Sequence, residues 1–271
     1  MRRVLLHLGL HKTGTTAAQS FLYENRELIW PHFSLALPYK TRKAGLSEAA
    51  TRHSIYRLDS TLSDFGIRLN DFLGKLDFGT RRGLILSEEN FSGLRPSRNR
   101  VEGYAAAPDL VATVVSAVRR RFLGEEVDMT VYLSLRQRDS WLYSLWAHDL
   151  QHSRVVRDFD EFCTDLDQLP GLQDTADTIR QRLPSVTVKT AWLEDLQKHQ
   201  FGPGTPFADF LDLSRSKASR LVAPDRTNSS PTKEVLADLL ALNRSSLEDA
   251  ALSARKTAVI KSAQSEMIGQ K

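Results

Sequence analysis

The 271-residue sequence has one cysteine, Cys163, only three methionines, and no long apolar run. A single thiol cannot close an internal disulfide, and a metal site would have to rest on histidine and carboxylates. The longest stretch free of Asp, Glu, Lys and Arg is Leu28–Tyr39, twelve residues interrupted by Pro31 and Pro38. A membrane-spanning helix needs about 20 apolar residues, so no span is expected. A strong charge of either sign is also missing: 37 Lys and Arg against 33 Asp and Glu leave +4. That small excess suits an anionic ligand and gives no reason to expect nucleic acid. Internal repeats and low-complexity tracts are absent as well. What remains is ordinary globular composition, 41% hydrophobic and 26% charged, in a chain long enough to bury a core. Cysteine poverty fits a reducing compartment. Met1-Arg2-Arg3 before a seven-residue apolar run containing His7 reads as a first strand and not as a signal peptide, so a cytoplasmic protein is expected.

The hydrophobic pattern alternates between strands and helices. Arg3 to Leu10 is a nearly continuous apolar run, the mark of a strand buried on both faces of a parallel sheet. A turn at His11 to Thr16 follows, and Ala18, Phe21, Leu22, Asn25 and Ile29 then fall at helical spacing, predicting one helix that stops before Pro31. Residues 31–64 read as irregular with short helices, 62–76 as a helix and 83–86 as a short strand. Residues 90–108 are polar, carry Pro96 and Pro108, and read as a loop-rich lid. Leu110, Val111, Val114, Val115, Val118 and Phe122 define an amphipathic helix, and Val127, Met129, Val131, Leu133 and Leu135 alternate as a strand. Trp141 to His152 reads as a helix, 186–191 as the last strand, and 201–271 as a helical C-terminal part. Strands alternating with helices predict an α/β fold: a P-loop-like three-layer sandwich with a central parallel sheet flanked by helices, forming one domain over 1–271.

The chemistry concentrates in the first turn, Gly9-Leu10-His11-Lys12-Thr13-Gly14-Thr15-Thr16. Between a buried strand and a helix, such a turn aims free N–H groups and the positive end of the helix dipole at an anion; Lys12 adds a full charge and Thr15 and Thr16 add hydroxyls. A nucleotide-triphosphate loop places its lysine after the second glycine, whereas Lys12 precedes Gly14.

Lys12-Thr13-Gly14-Thr15-Thr16 after a first strand resembles the 5′-phosphosulfate loop of sulfotransferases that use 3′-phosphoadenosine 5′-phosphosulfate. The resemblance implies that His11, Lys12, Thr13, Gly14, Thr15 and Thr16 hold the 5′ end of the donor. It also implies an Arg at a later strand end and a Ser eight residues on for the 3′-phosphate, which Arg136 and Ser144 match. Transfer to a hydroxyl or amine needs a base, and no metal is expected. In Leu86-Ser87-Glu88-Glu89, Glu89 aligns with the glutamate of the glycan-type and bacterial relatives; Glu88 and His53 are the other candidates. The Arg-Lys-Gly segment that closes over the 3′-phosphate in enzymes acting on phenols and steroids is missing, and Arg226-Thr227-Asn228-Ser229-Ser230 is the candidate replacement. The implied acceptor is a glycan or other small metabolite, in a bacterial protein without membrane anchor. The chain does not reveal its oligomeric state.

Overall fold

The computed structural model describes residues 1–97, 102–224 and 231–269. In chain order the elements are β1 (Arg2–His7), α1 (Thr15–Glu24), α2 (Arg26–Ile29), β2 (Phe33–Ala36), α3 (Pro38–Lys43), α4 (Leu46–Tyr56), α5 (Asp59–Lys75) and β3 (Gly83–Ser87). There follow α6 (Ala107–Arg121), β4 (Val127–Leu135), α7 (Arg138–His152), α8 (Phe159–Asp165), α9 (Leu172–Arg182), β5 (Thr187–Trp192) and α10 (Leu193–Leu196). The last elements are α11 (Thr205–Leu211), α12 (Arg215–Ala218), α13 (Lys233–Arg244) and α14 (Asp249–Gly269). The chain divides into two compact units, Met1–Gln137 with Leu169–Asp225 and Arg138–Gln168 with Arg226–Lys271. Among the described residues no helix is long and apolar enough to cross a membrane.

The first unit is the expected α/β fold. Five strands, all parallel, lie in the order β2-β3-β1-β4-β5, flanked by helices. β1 is central because Val4, Leu5 and Leu6 are apolar on both faces and can be covered from both sides. Alternation sends Leu5, with Ile85, Leu35 and Tyr132, to a core shared with Phe21 and Leu22 of α1 and Phe207 of α11. The chain leaves β1 toward β2 on one side and leaves β3 toward β4 on the other. The C-terminal ends of β1 and β3 therefore flank the topological switch, where ligands of open α/β sheets bind.

Three expectations are corrected. The predicted helix over 18–29 breaks into α1 and α2 at Asn25, whose side-chain N–H₂ donates to the carbonyls of Phe21 (2.8 Å) and Val222 (2.9 Å). Its Oδ1 accepts the Val222 N–H at 2.8 Å, so a long-range contact ends the helix. Residues 33–36, read as irregular, form strand β2 in parallel register with β3, a four-residue edge too short to show a period. The helix expected from Leu110 begins at Ala107, with Pro108 in its first turn, where its missing N–H costs nothing.

In the second unit, Asn243 of α13 donates to the carbonyls of Leu150 (3.2 Å) and Val155 (2.9 Å), and Lys256 of α14 donates to Asn243 Oδ1 at 3.0 Å. Burial lowers the Lys256 pKa, and Asn243 Oδ1 and the Ser153 carbonyl (3.0 Å) accept its hydrogen bonds in place of water. A capping box of Asp158 and Glu161 starts α8.

Candidate functional site

The strand-to-helix turn takes a form that the sequence did not disclose. Lys12 (φ 68°) and Gly14 (φ 91°) both have left-handed backbones, with Thr13 between them. A lysine in this region is uncommon, and left-handed residues of this kind make a concave array of N–H groups that suits an anion. Gly14 is the N-cap of α1 and offers no side-chain acceptor, and the first turn carries no acidic residue. The first N–H groups of a ten-residue helix thus meet the loop uncapped by a side chain.

The loop is held from below. The Thr13 hydroxyl is buried, donates to the Leu10 carbonyl at 2.6 Å and lies 2.6 Å from Ser134 Oγ on β4. The Thr13 hydroxyl thus fixes the loop, and what the residue can offer an anion is its backbone N–H. Thr15 is buried, and the space above Gly9 is filled by its methyl, since a Cβ at Gly9 would stand 2.3 Å from Thr15 Cγ2. Thr16 is exposed. Arg136, just past β4, donates from Nη1 to the Lys12 carbonyl at 3.0 Å. Burial lowers its pKa and Glu194 opposes that shift. Ser144 lies half-buried on α7, in the second unit.

The two adjacent glutamates part ways. Glu88 is fully buried; its Oε2 accepts the Thr41 hydroxyl of α3, and its Oε1 accepts the Asn90 N–H (3.2 Å) and side-chain N–H₂ (2.7 Å). Glu89 keeps 18% of its side chain exposed, accepts from Gln19 Nε2 of α1 at 2.8 Å, and meets Arg42 of α3 at 3.3 Å. An ionised carboxylate offers about four lone-pair sites, so two contacts leave Glu89 room for another proton donor. Its charge also reaches His11.

His11 ties the loop to the segment after β3. Its N–H donates to the Tyr104 hydroxyl at 2.8 Å, the rings lie nearly parallel at 6.0 Å, and Asn90 hydrogen-bonds the imidazole. Burial drives its pKa down to about 4 against the pull of Glu89, with Arg95 and Lys12 lowering it further. His11 is therefore neutral at pH 7. Tyr104 and Arg95 come from the predicted lid, whose described part is anchored to the loop: Ser92 donates to the Leu8 carbonyl and Tyr104 receives His11. Arg98 and Arg100 of the same segment lie outside the described residues, as do Arg226 to Ser230. Sequence reasoning missed Tyr104, although it is the one aromatic between Phe91 and Phe122.

The structure gathers His11, Lys12, Gly14, Glu89, Asn90, Arg95 and Tyr104 in the crevice at β1 and β3, and it does not bring His53 there. That imidazole is buried on α4, its Nδ1 3.0 Å from Thr61 Oγ1, and the charges that reach it are Arg57, Asp59 and Asp109. Burial lowers its pKa. Among the described residues no three His, Cys, Asp or Glu side chains converge as metal ligands.

Beneath the loop, His7 is buried, stacks on Tyr132 at 5.2 Å and pairs through Nδ1 with Ser87 Oγ at 2.8 Å; burial lowers its pKa to about 3. An unfolded imidazole titrates near 6.5, so as pH falls toward these folded values the unfolded chain binds more protons and stability drops. By pH 5 the expected loss from His7 alone is roughly 2 kcal/mol. Denaturant unfolding at pH 7 and 5 should show a smaller loss in His7→Gln than in the parent; equal losses would contradict a neutral buried His7.

Set against family models, curated proteins and solved structures, the chain matches none of them.

Proposed function

We propose that the protein is a sulfotransferase moving a sulfuryl group from 3′-phosphoadenosine 5′-phosphosulfate to a hydroxyl or amine acceptor. The observation that carries this reading is the left-handed Lys12–Gly14 loop at the central strand's C-terminal end, with the partly exposed Glu89 beside it at the end of β3. The loop N–H groups and Lys12 suit the 5′-phosphate, where negative charge grows as the bond to sulfur breaks. Glu89 takes the acceptor proton as the acceptor's oxygen or nitrogen bonds to sulfur; the sulfur–oxygen bond to the 5′-phosphate breaks, and the product nucleotide keeps that oxygen. Neutral His11 and Tyr104 shape the acceptor side, with Arg95 and Arg42 as nearby positive charge. A glycan or other small hydroxyl compound is the proposed acceptor, met in the cytoplasm.

Calorimetric titration tests the donor class directly. Binding of 3′,5′-diphosphoadenosine is expected at about micromolar Kd, near −8 kcal/mol, without need of magnesium. Binding of magnesium-ATP alone would replace this reading with a nucleotide-dependent kinase or switch.

A further inference from the structure

A second charged cleft lies at the opposite ends of the same strands, where β1, β2 and β3 begin. It has a volume of about 340 Å³ and is lined by Arg3, His32, Phe33, Arg81, Asp212 and Lys217, with Gly83, Leu211 and Leu213 completing its apolar side. The strand starts meet closely here: Gly83 donates its N–H to the His32 carbonyl at 2.9 Å, and a Cβ on Gly83 would fall 2.1 Å from the Arg3 carbonyl oxygen and 2.8 Å from the Phe33 ring. The floor is therefore a fixed part of the sheet edge and not a loop.

Its cations outnumber its acids. Arg3 is held by the Phe210 carbonyl and lies over the Phe210 and Phe33 rings at 4.6 and 5.9 Å, which fixes the guanidinium while leaving most of its five donors to spare. Lys217 Nζ stands 3.5 Å from His32 Nε2, so the ammonium's close neighbour is another nitrogen base. Among the described residues, neither Lys217 nor the exposed Arg81 has a carboxylate partner. Asp212, exposed on a left-handed backbone (φ 49°), is the one acid of the lining. Three permanent cations against one carboxylate leave a local excess of two positive charges beside an apolar floor.

We propose that this cleft binds a phosphate monoester, its dianionic head between Arg81, Lys217 and His32 and its organic group on Phe33 and Leu213. Guanidinium and ammonium donors match phosphate oxygens, and the apolar floor favours an ester over the free ion. Because the cleft begins the strands whose other ends carry the Lys12 loop, its occupancy does not depend on the activity proposed above.

The test is amide NMR titration of the full chain carrying Lys12→Ala, which removes the first loop's charge, with phenyl phosphate, inorganic phosphate and phenol as probes. Phenyl phosphate should saturate shifts at Phe33, Gly83 and Leu213, more tightly than inorganic phosphate, while phenol should not saturate them. Arg81→Gln and Lys217→Gln, both at exposed positions, should each weaken phenyl phosphate by about tenfold, the effect of one lost charge-assisted bond. Shifts confined to residues 9–16, unchanged affinity in both variants, phenol binding as well as phenyl phosphate, or no saturation at millimolar probe would each overturn the proposal.

Discussion

Glu89→Gln is expected to lower kcat by a factor of about 10² to 10⁴, the usual contribution of a positioned general base, while the affinity for 3′,5′-diphosphoadenosine stays unchanged. The substitution is isosteric, and its amide oxygen still accepts from Gln19 or Arg42, so the local structure is retained. What it removes is the carboxylate proposed to receive the acceptor proton. Glu88→Gln is expected to behave differently because Glu88 is fully buried: its oxygens accept from Thr41 and Asn90, and an amide N–H₂ would face one of these groups with no water to turn to. The consequence is a loss of stability of about 1–3 kcal/mol, the cost of an unsatisfied buried polar group. Single-turnover kinetics with thermal unfolding separates the two outcomes. A fully active Glu89→Gln would refute the base assignment.

Arg136→Ala is expected to weaken 3′,5′-diphosphoadenosine by roughly 10- to 100-fold, the equivalent of about 1.5–3 kcal/mol for a charged hydrogen bond. The more telling expectation concerns adenosine 5′-monophosphate, which has no 3′-phosphate. Arg136 donates to the carbonyl of Lys12 and so helps to hold its left-handed backbone. If that support matters, the monophosphate should also bind several-fold more weakly in Arg136→Ala, by the few tenths to about 1 kcal/mol of one hydrogen bond. Arg136→Lys keeps the charge but loses the planar fork, and should recover part of the affinity for the diphosphate. Equal monophosphate binding in the parent and in Arg136→Ala would show that the arginine acts on the 3′-phosphate alone.

The second prediction depends on a residue whose strand was legible from periodicity. Val127–Leu135 was legible as a strand because its alternation runs for nine residues, and its end fixed Arg136 in position. The run from Val4 was legible because a central parallel strand is apolar on both faces. By contrast, β2 is four residues long between two prolines and gains its identity only from pairing with β3. The break at Asn25 was equally hidden, since it depends on Val222, nearly two hundred residues away.

By itself, the sequence determined an α/β chain with a parallel sheet, a basic hydroxyl-rich turn after the first strand, and a pair of glutamates after the third. Those features are local, and local composition and spacing encode them. Only the tertiary structure decided that Glu88 is buried and committed while Glu89 stays open. Only it decided that the Thr13 hydroxyl serves the fold, that His53 faces Thr61 between helices, and that Tyr104 reaches His11. The physical reason is the same in each case: whether a polar group is available for chemistry depends on which distant donors and acceptors have already claimed it.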